Sequence, residues 1–205
     1  MKEIILATHN KHKLEEVRQI LEPLDFVVKS ADEYHLSDVE ETGETFADNA
    51  ILKAISGCKE TGKPVIADDS GISICGLNNQ PGVYSARYAV ANGGYPAVFD
   101  VINKELGDNP NRKAFYTCVI ALAYSQTEVY TFTGEMHGSL AKTYSGTGGF
   151  GYDPLFIPDG FDTTLGHISA EEKNKISHRG KALEKLYAFL KERNGKNKSK
   201  QKTTA

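Results

Sequence analysis

Pro64-Val65-Ile66-Ala67 is a short apolar run that stops on two adjacent carboxylates, Asp68 and Asp69, followed by Ser70 and by Gly71, which permits a sharp turn. Such a run reads as a buried strand. In open α/β sheets the carboxyl ends of strands are where ligands bind, so a doubled aspartate there is a candidate for chemistry. Successive strand residues point to opposite faces, so at most one of the pair faces a given cleft directly. The same residues also fit an Asx-type turn in which Asp68 or Asp69 caps the next segment. The other polar clusters of the chain decide between the two readings.

The first of these clusters is N-terminal. Lys2 to Ala7 reads as a strand and Thr8-His9-Asn10-Lys11-His12-Lys13 as a polar turn. Leu14, Val17, Ile20, Leu21 and Leu24 then recur at helical spacing. Strand, polar turn and helix in this order aim backbone N–H groups and the positive helix end at an anion. Thr8 and Asn10 add side-chain hydrogen bonds and Lys13 a mobile charge; an ordinary capped helix has the same pattern. The glycines and the Lys-Ser/Thr pair of a P-loop are missing. Phe26-Val27-Val28 reads as a second strand. Glu40, Glu41 and Glu44 precede a helix from Thr45 to about Cys58, with Phe46, Ala50, Ala54 and Ile55 on one face and Asn49 and Lys53 available to a neighbouring cleft. These acids are either dipole partners of that helix, or one of them joins Asp69 around magnesium, which takes one or two carboxylates and completes its shell with water and phosphate.

Ile72, Ile74 and Leu77 suggest a separate short strand, Gln80 to Tyr88 a turn and loop with Arg87 as a phosphate contact or, the favoured reading, in a surface ion pair, and Ala97 to Leu106 a helix. Ala114 to Tyr124 and Glu128 to Glu135 are long runs of β-formers around a short polar turn, a hairpin that reads as sheet core rather than site. The second polar concentration spans Gly146 to Pro154, where glycines at 146, 148, 149 and 151 let backbone approach a ligand and Phe150 and Tyr152 offer flat apolar faces beside Asp153. Ser177-His178-Arg179 then sets three donors near the start of a helix whose inner face carries Ala182, Leu183, Leu186, Phe189 and Leu190.

Composition narrows the class. A chain of 205 residues, 40% hydrophobic, can bury a real core. A net charge of -3 argues against general nucleic-acid binding. Cys58, Cys75 and Cys118 are scattered without metal-ligand spacing, as expected of reduced thiols in a cytoplasmic protein. No apolar run approaches membrane-spanning length and no signal peptide precedes the first strand, so no membrane partner is expected. From Asn194 onward, Lys196, Lys198, Lys200 and Lys202 recur without apolar periodicity, which suggests a basic disordered tail over 194–205. No repeat or linker divides the rest. One bilobal α/β domain over residues 1–193 is expected, with its ligand between the lobes. Carboxylates at Glu41, Asp68 and Asp69, cations at Lys13, Lys53, Lys173 and Arg179, and an aromatic-glycine loop together suit a magnesium-bound nucleoside polyphosphate.

Taken in order, Thr8-x-Asn10-x-x-Lys13, Glu41-Thr42-Gly43-x-Thr45-Phe46-x-x-Asn49-Ala50-x-x-Lys53-Ala54, Ala67 to Gly71, Pro81 to Tyr88, Gly148 to Pro154 and Ser177-His178-Arg179 resemble the inosine/xanthosine triphosphate pyrophosphatase family from about residue 4 to residue 190. The resemblance implies a long mixed central sheet with flanking helices, two lobes around an active-site cleft, and a homodimer. It further implies hydrolysis of deaminated purine nucleoside triphosphates (dITP, ITP, XTP) to the monophosphate and pyrophosphate with Mg2+. Asp69 would accept the proton of the attacking water, and Glu41 and Asp69 would hold the metal. Thr8, His9, Asn10, Lys11, His12, Lys13, Lys53 and Ser70 would bind phosphate and ribose; Phe150, Gly151, Tyr152, Asp153, Lys173, His178 and Arg179 would surround the base. His12 stands where the family usually has glycine, and a side chain there could crowd the phosphate turn. A nucleotide sensor without hydrolysis and a pyrophosphatase for other modified nucleotides are the alternatives.

Overall fold

In a computed structural model of the chain, residues 2–202 are described, with side chains to residue 193. The elements follow in order as β1 (Lys2–Leu6), α1 (Lys11–Leu21), β2 (Phe26–Ser30), α2 (Phe46–Thr61), β3 (Val65–Ile74), β4 (Gln80–Pro81), α3 (Ser85–Ala91), α4 (Tyr95–Leu106), β5 (Lys113–Ala123), β6 (Val129–Leu140), β7 (Phe156–Pro158), α5 (Ala170–Ile176) and α6 (His178–Lys202). They build one seven-stranded mixed sheet in the order β2-β1-β3-β5-β6-β7, with β4 paired to β3 off this path. β1 is parallel to β2 and β3, whereas the β3-β5-β6-β7 half is antiparallel. This is the mixed sheet with flanking helices that the motifs imply.

Strand alternation distributes the core. Leu6, Ile66, Cys118 and Ile120 face α1 and α6, packing on Val17, Leu21, Leu183 and Leu186. Ile5, Val65, Ala67, Val119 and Ala121 face α2 and pack on Ala50 and Ala54. A third cluster joins the far end of β3 to α4 and β7 through Ile72, Ile74, Phe99, Ile102, Tyr116 and Phe156. The cleft lies between this cluster and the other two. Local sequence starts the helices: Asn10 caps α1, and Thr45 with Asp48 and Ser169 with Glu172 form capping boxes at α2 and α5.

Three expectations change. β3 does not stop at the carboxylates. It runs through Asp68, Asp69, Ser70 and Gly71 to Ile74, each paired with β5, so Ile72 and Ile74 belong to the same strand. The expected turn glycine is a close-approach glycine instead: a Cβ on Gly71 would collide with the Gly82 carbonyl and the Ser85 hydroxyl. The Gln80 to Tyr88 loop turns helical at Ser85, whose hydroxyl accepts from Ile72 N (2.9 Å) and donates to Gly82 O (2.6 Å), tying α3 to β3. By its backbone α6 runs to Lys202, so its last turns overlap the stretch over 194–205 read as a tail. Residues 203–205 lie outside the described residues. Among the described residues, no helix is long and apolar enough to cross a membrane.

Candidate active site

β1 pairs with β3 only as far as Leu6 and Ile66, and Ala7 N closes the edge on Ile66 O at 2.8 Å. Beyond that point β3 keeps β5 on one side and has no strand continuing β1 on the other, and a cleft of about 320 Å³ opens there. Asp68 and Asp69 therefore sit past the end of the parallel pairing, and alternation sends them to opposite faces. Asp69 lines the cleft and Asp68 does not.

On the α2 side, Asp69 Oδ2 accepts from Asn49 Nδ2 at 2.9 Å, and Oδ1 accepts from Ser70 N at 2.9 Å. Asn49 is oriented in turn by Gly43 N, which donates to its Oδ1 at 2.7 Å. Lys53, one helical turn after Asn49, places Nζ 2.6 Å from Glu41 Oε1 and 3.9 Å from Asp69 Oδ1. Glu41 and Asp69 thus meet across one ammonium. Burial raises the Asp69 carboxyl above the usual carboxylate range; Glu41 adds to the rise, while Lys53 and the Asn49 hydrogen bond oppose it. Burial pulls Lys53 down, but Asp68, Asp69 and Glu41 outweigh it and hold the ammonium charged.

On the α1 and α6 side, Asp68 Oδ2 lies 3.0 Å from Lys13 Nζ and 3.0 Å from Arg179 Nη2, which also donates to Ser70 Oγ at 3.0 Å. Burial pushes the Asp68 carboxyl up, but Lys13, Arg179 and Lys53 outweigh it and hold it far below the usual range. Glu16, one turn after Lys13 on α1, bonds Arg179 Nη1 and lies 2.7 Å from Lys173 Nζ. Lys173 Nζ is also 2.7 Å from Asp153 Oδ2, and Asp153 accepts from Phe150 N at 2.8 Å. Buried acids and bases alternate through this network, so each charge taken from water meets an opposite one.

Other expected site residues spread around this frame. Thr8, His9, Asn10 and Lys13 line the cleft, but Asn10 Oδ1 is occupied as the α1 cap by His12 N and Lys13 N. His9 lies between Asp32 (2.7 Å) and Asp38 (3.3 Å) on the facing wall. Lys11 and His12 are exposed on the first turn of α1. The His12 imidazole lies parallel to the Phe150 ring, centroids 5.1 Å apart at 10°. The Lys173 ammonium sits 4.6 Å from the Phe150 centroid. Phe150 is half-buried on the cleft, and Gly151, at φ +67, faces Tyr95. Tyr152 turns inward, donating to Ser85 O at 2.8 Å. His178 is buried, stacked on Tyr116 at 4.7 Å and 9°; burial, then Arg179 and Lys173, push its imidazole well below the usual range and keep it neutral.

The Ham1 family model matches residues 4–189. The chain belongs to the Ham1 family. It is 45% identical over 193 residues to a dITP/XTP pyrophosphatase of Bacillus subtilis (strain 168), covering 93% of this chain and 98% of that one. It is 42% identical over 180 residues to a dITP/XTP pyrophosphatase of Gluconobacter oxydans (strain 621H), covering 88% and 86%. Two solved Ham1 proteins share the fold at 40% identity: that of Coxiella burnetii with a TM-score of 0.86 and that of Staphylococcus aureus with 0.83, each covering 94% of this chain and all of the other.

In this Ham1 protein, Glu41 and Asp69 supply hard carboxylate oxygens on either side of one positive charge, the donor set magnesium takes. Among the described residues, no three His, Cys, Asp or Glu groups gather to hold a metal by themselves. Two residues of the site, Glu16 and Tyr116, escape the motif reading. Glu16 has a helical-spacing signal, since it lies three residues from Lys13 on one face of α1. Arg87, within the Pro81 to Tyr88 motif, lines the cleft, where its guanidinium donates to Glu41 O (3.2 Å) and stacks on Tyr84. Tyr116 sits inside a strand of β-formers that carries no local signal of function.

Proposed function

We propose that this chain hydrolyses deaminated purine nucleoside triphosphates, dITP, ITP and XTP, to the monophosphate and pyrophosphate. The observation that carries the reading is Lys53 Nζ set between Glu41 and Asp69 at the edge of the cleft. Two acids meet there over a positive charge, within a pocket that also holds Lys13 and Phe150. Magnesium held by Glu41 and Asp69 would offset phosphate charge and lower the pKa of bound water. Asp69, its carboxyl raised by burial, is the proton acceptor for the attacking water. Lys13 and Lys53, with Thr8 and Ser70, bind the phosphates and neutralise charge on the departing pyrophosphate.

Phe150 supplies the face on which the purine stacks, and Asp153 and Lys173 fix that face through the Phe150 amide and ring. His178 and Arg179 line the same cleft and would offer donors to the 6-oxo group. Adenine would turn an amino group toward those donors and leave them unpaired, a loss that reaches orders of magnitude in rate. The reading carries with it a cytoplasmic homodimer built on a single bilobal unit over residues 1–193. Pyrophosphate release measured across dITP, ITP, XTP, GTP, ATP and dUTP, with magnesium and with chelator, tests it. Magnesium-dependent preference for the deaminated purines is expected, and binding without product would leave the sensor alternative standing.

A further inference from the structure

Among the described residues, the buried side-chain polar atoms without a hydrogen-bond partner are Asp68 Oδ1, Tyr116 Oη, His178 Nδ1 and Arg179 Nε. They are not scattered. Arg179 bonds Asp68, His178 precedes Arg179 in the chain, and the His178 ring lies flat on Tyr116. Buried polar atoms are nearly always paired in native proteins, so a contiguous group of unpaired ones marks a place completed by something outside the chain. Asp68 and Arg179 spend their other atoms on charges within the protein. Tyr116 has a single polar side-chain atom, and it is unspent.

Tyr116 is 7% exposed and lines the cleft. Alternation along β5 puts it on the same side as Cys118, whose Sγ lies 4.0 Å from Asp68 Oδ2. Its ring is anchored edge-on by Phe156 at 4.9 Å as well as by His178, so the hydroxyl is held in place. Burial, then Asp153, keep the phenol protonated and therefore a donor. Arg179 Nε is a donor too, whereas Asp68 Oδ1 is an acceptor, so a group that completes this corner carries an acceptor where it meets Tyr116 and Arg179.

We propose that Tyr116 is a specificity-determining residue whose phenolic O–H donates to an oxo group of a deaminated purine seated beside His178. The inference rests on the function proposed above. Adenine has no oxo group, hypoxanthine has one at position 6, and xanthine has a second at position 2.

The test is Tyr116→Phe in the full chain, which keeps the ring on His178 and deletes only the hydroxyl. kcat/KM for dITP, XTP and ATP is compared with wild type, alongside Tm. The expected result is a roughly tenfold loss for oxo-bearing substrates, the order of one lost hydrogen bond to a bound group, with the residual ATP rate unchanged and Tm not lowered. Loss for dITP and XTP together places the contact at the 6-oxo group, and loss for XTP alone places it at the 2-oxo group. Either supports the proposal. Unchanged rates, a loss that ATP shares in full, or a lowered Tm with an unchanged dITP-to-ATP ratio would overturn it. Wild-type protein that turns over neither dITP nor XTP would instead sink the function on which the proposal rests.

Discussion

Asp68 and Asp69 are consecutive residues of β3 that serve opposite faces of the sheet: Asp68 joins Lys13 and Arg179, whereas Asp69 joins Asn49 and lies near Lys53. Their carboxyls move in opposite directions, Asp68 down because cations outweigh its burial and Asp69 up because burial wins. One strand thus carries a permanently charged anchor beside a carboxylate able to take up a proton.

Asp69→Asn is expected to lower turnover by on the order of 10²–10⁴-fold, the usual worth of a general base. Its effect on stability has a definite sign. A carboxyl raised in the folded state favours folding at low pH and loses that contribution as pH rises through its folded value. Wild type should therefore lose stability relative to the asparagine variant between acid and neutral pH. Urea unfolding at several pH values checks this, and a difference that moves the other way contradicts it.

Lys53→Met removes the ammonium between Glu41 and Asp69 and with it an influence that lowers the Asp69 carboxyl. The acid limb of the kcat profile should move to higher pH, and turnover at neutral pH should fall by on the order of 10²-fold, as when one stabilising donor is lost. A pH–rate profile with an unmoved acid limb would remove Lys53 from this role.

Glu16→Ala leaves Lys173 and Arg179 buried without their shared carboxylate, and breaking a buried pair from one side costs about 3 kcal/mol. Glu16 is held below the usual glutamate range because Arg179 and Lys173 outweigh its burial. Its contribution is complete above about pH 4.3 and is lost as pH falls toward the lower folded value. Denaturation of wild type and variant at neutral and acid pH should show the gap between them closing on acidification.

His12→Gly uncovers the ring of Phe150. If the purine takes that face, KM should fall by about threefold with kcat unchanged, as loss of a competing ring stack of ~0.7 kcal/mol would give. The helix pays for it, since glycine in α1 costs ~1 kcal/mol of stability. A raised KM would show that the imidazole assists the base.

The strand-turn-helix at the N-terminus, the Thr45 start of α2, the hairpin of β5 and β6 and the inner face of α6 were legible in residue order alone, because cap chemistry and hydrophobic period are local properties. The Ham1 motifs marked Glu41, Asp69, Lys53 and the Phe150 loop for the same reason: each is a short pattern of fixed spacing. Other features depended on partners far along the chain. Asp68 and Asp69 read as a strand end, yet β3 continues through them because β5 pairs alongside and cations from α1, α2 and α6 neutralise the charge. Glu16 gained its place only when α6 brought Arg179 against α1, and Tyr116 only when His178 settled on its ring. Periodicity tells which face a residue takes. What waits on that face is decided by long-range packing, where the cost of burying an unpaired charge or hydroxyl selects the arrangement that gives it a partner.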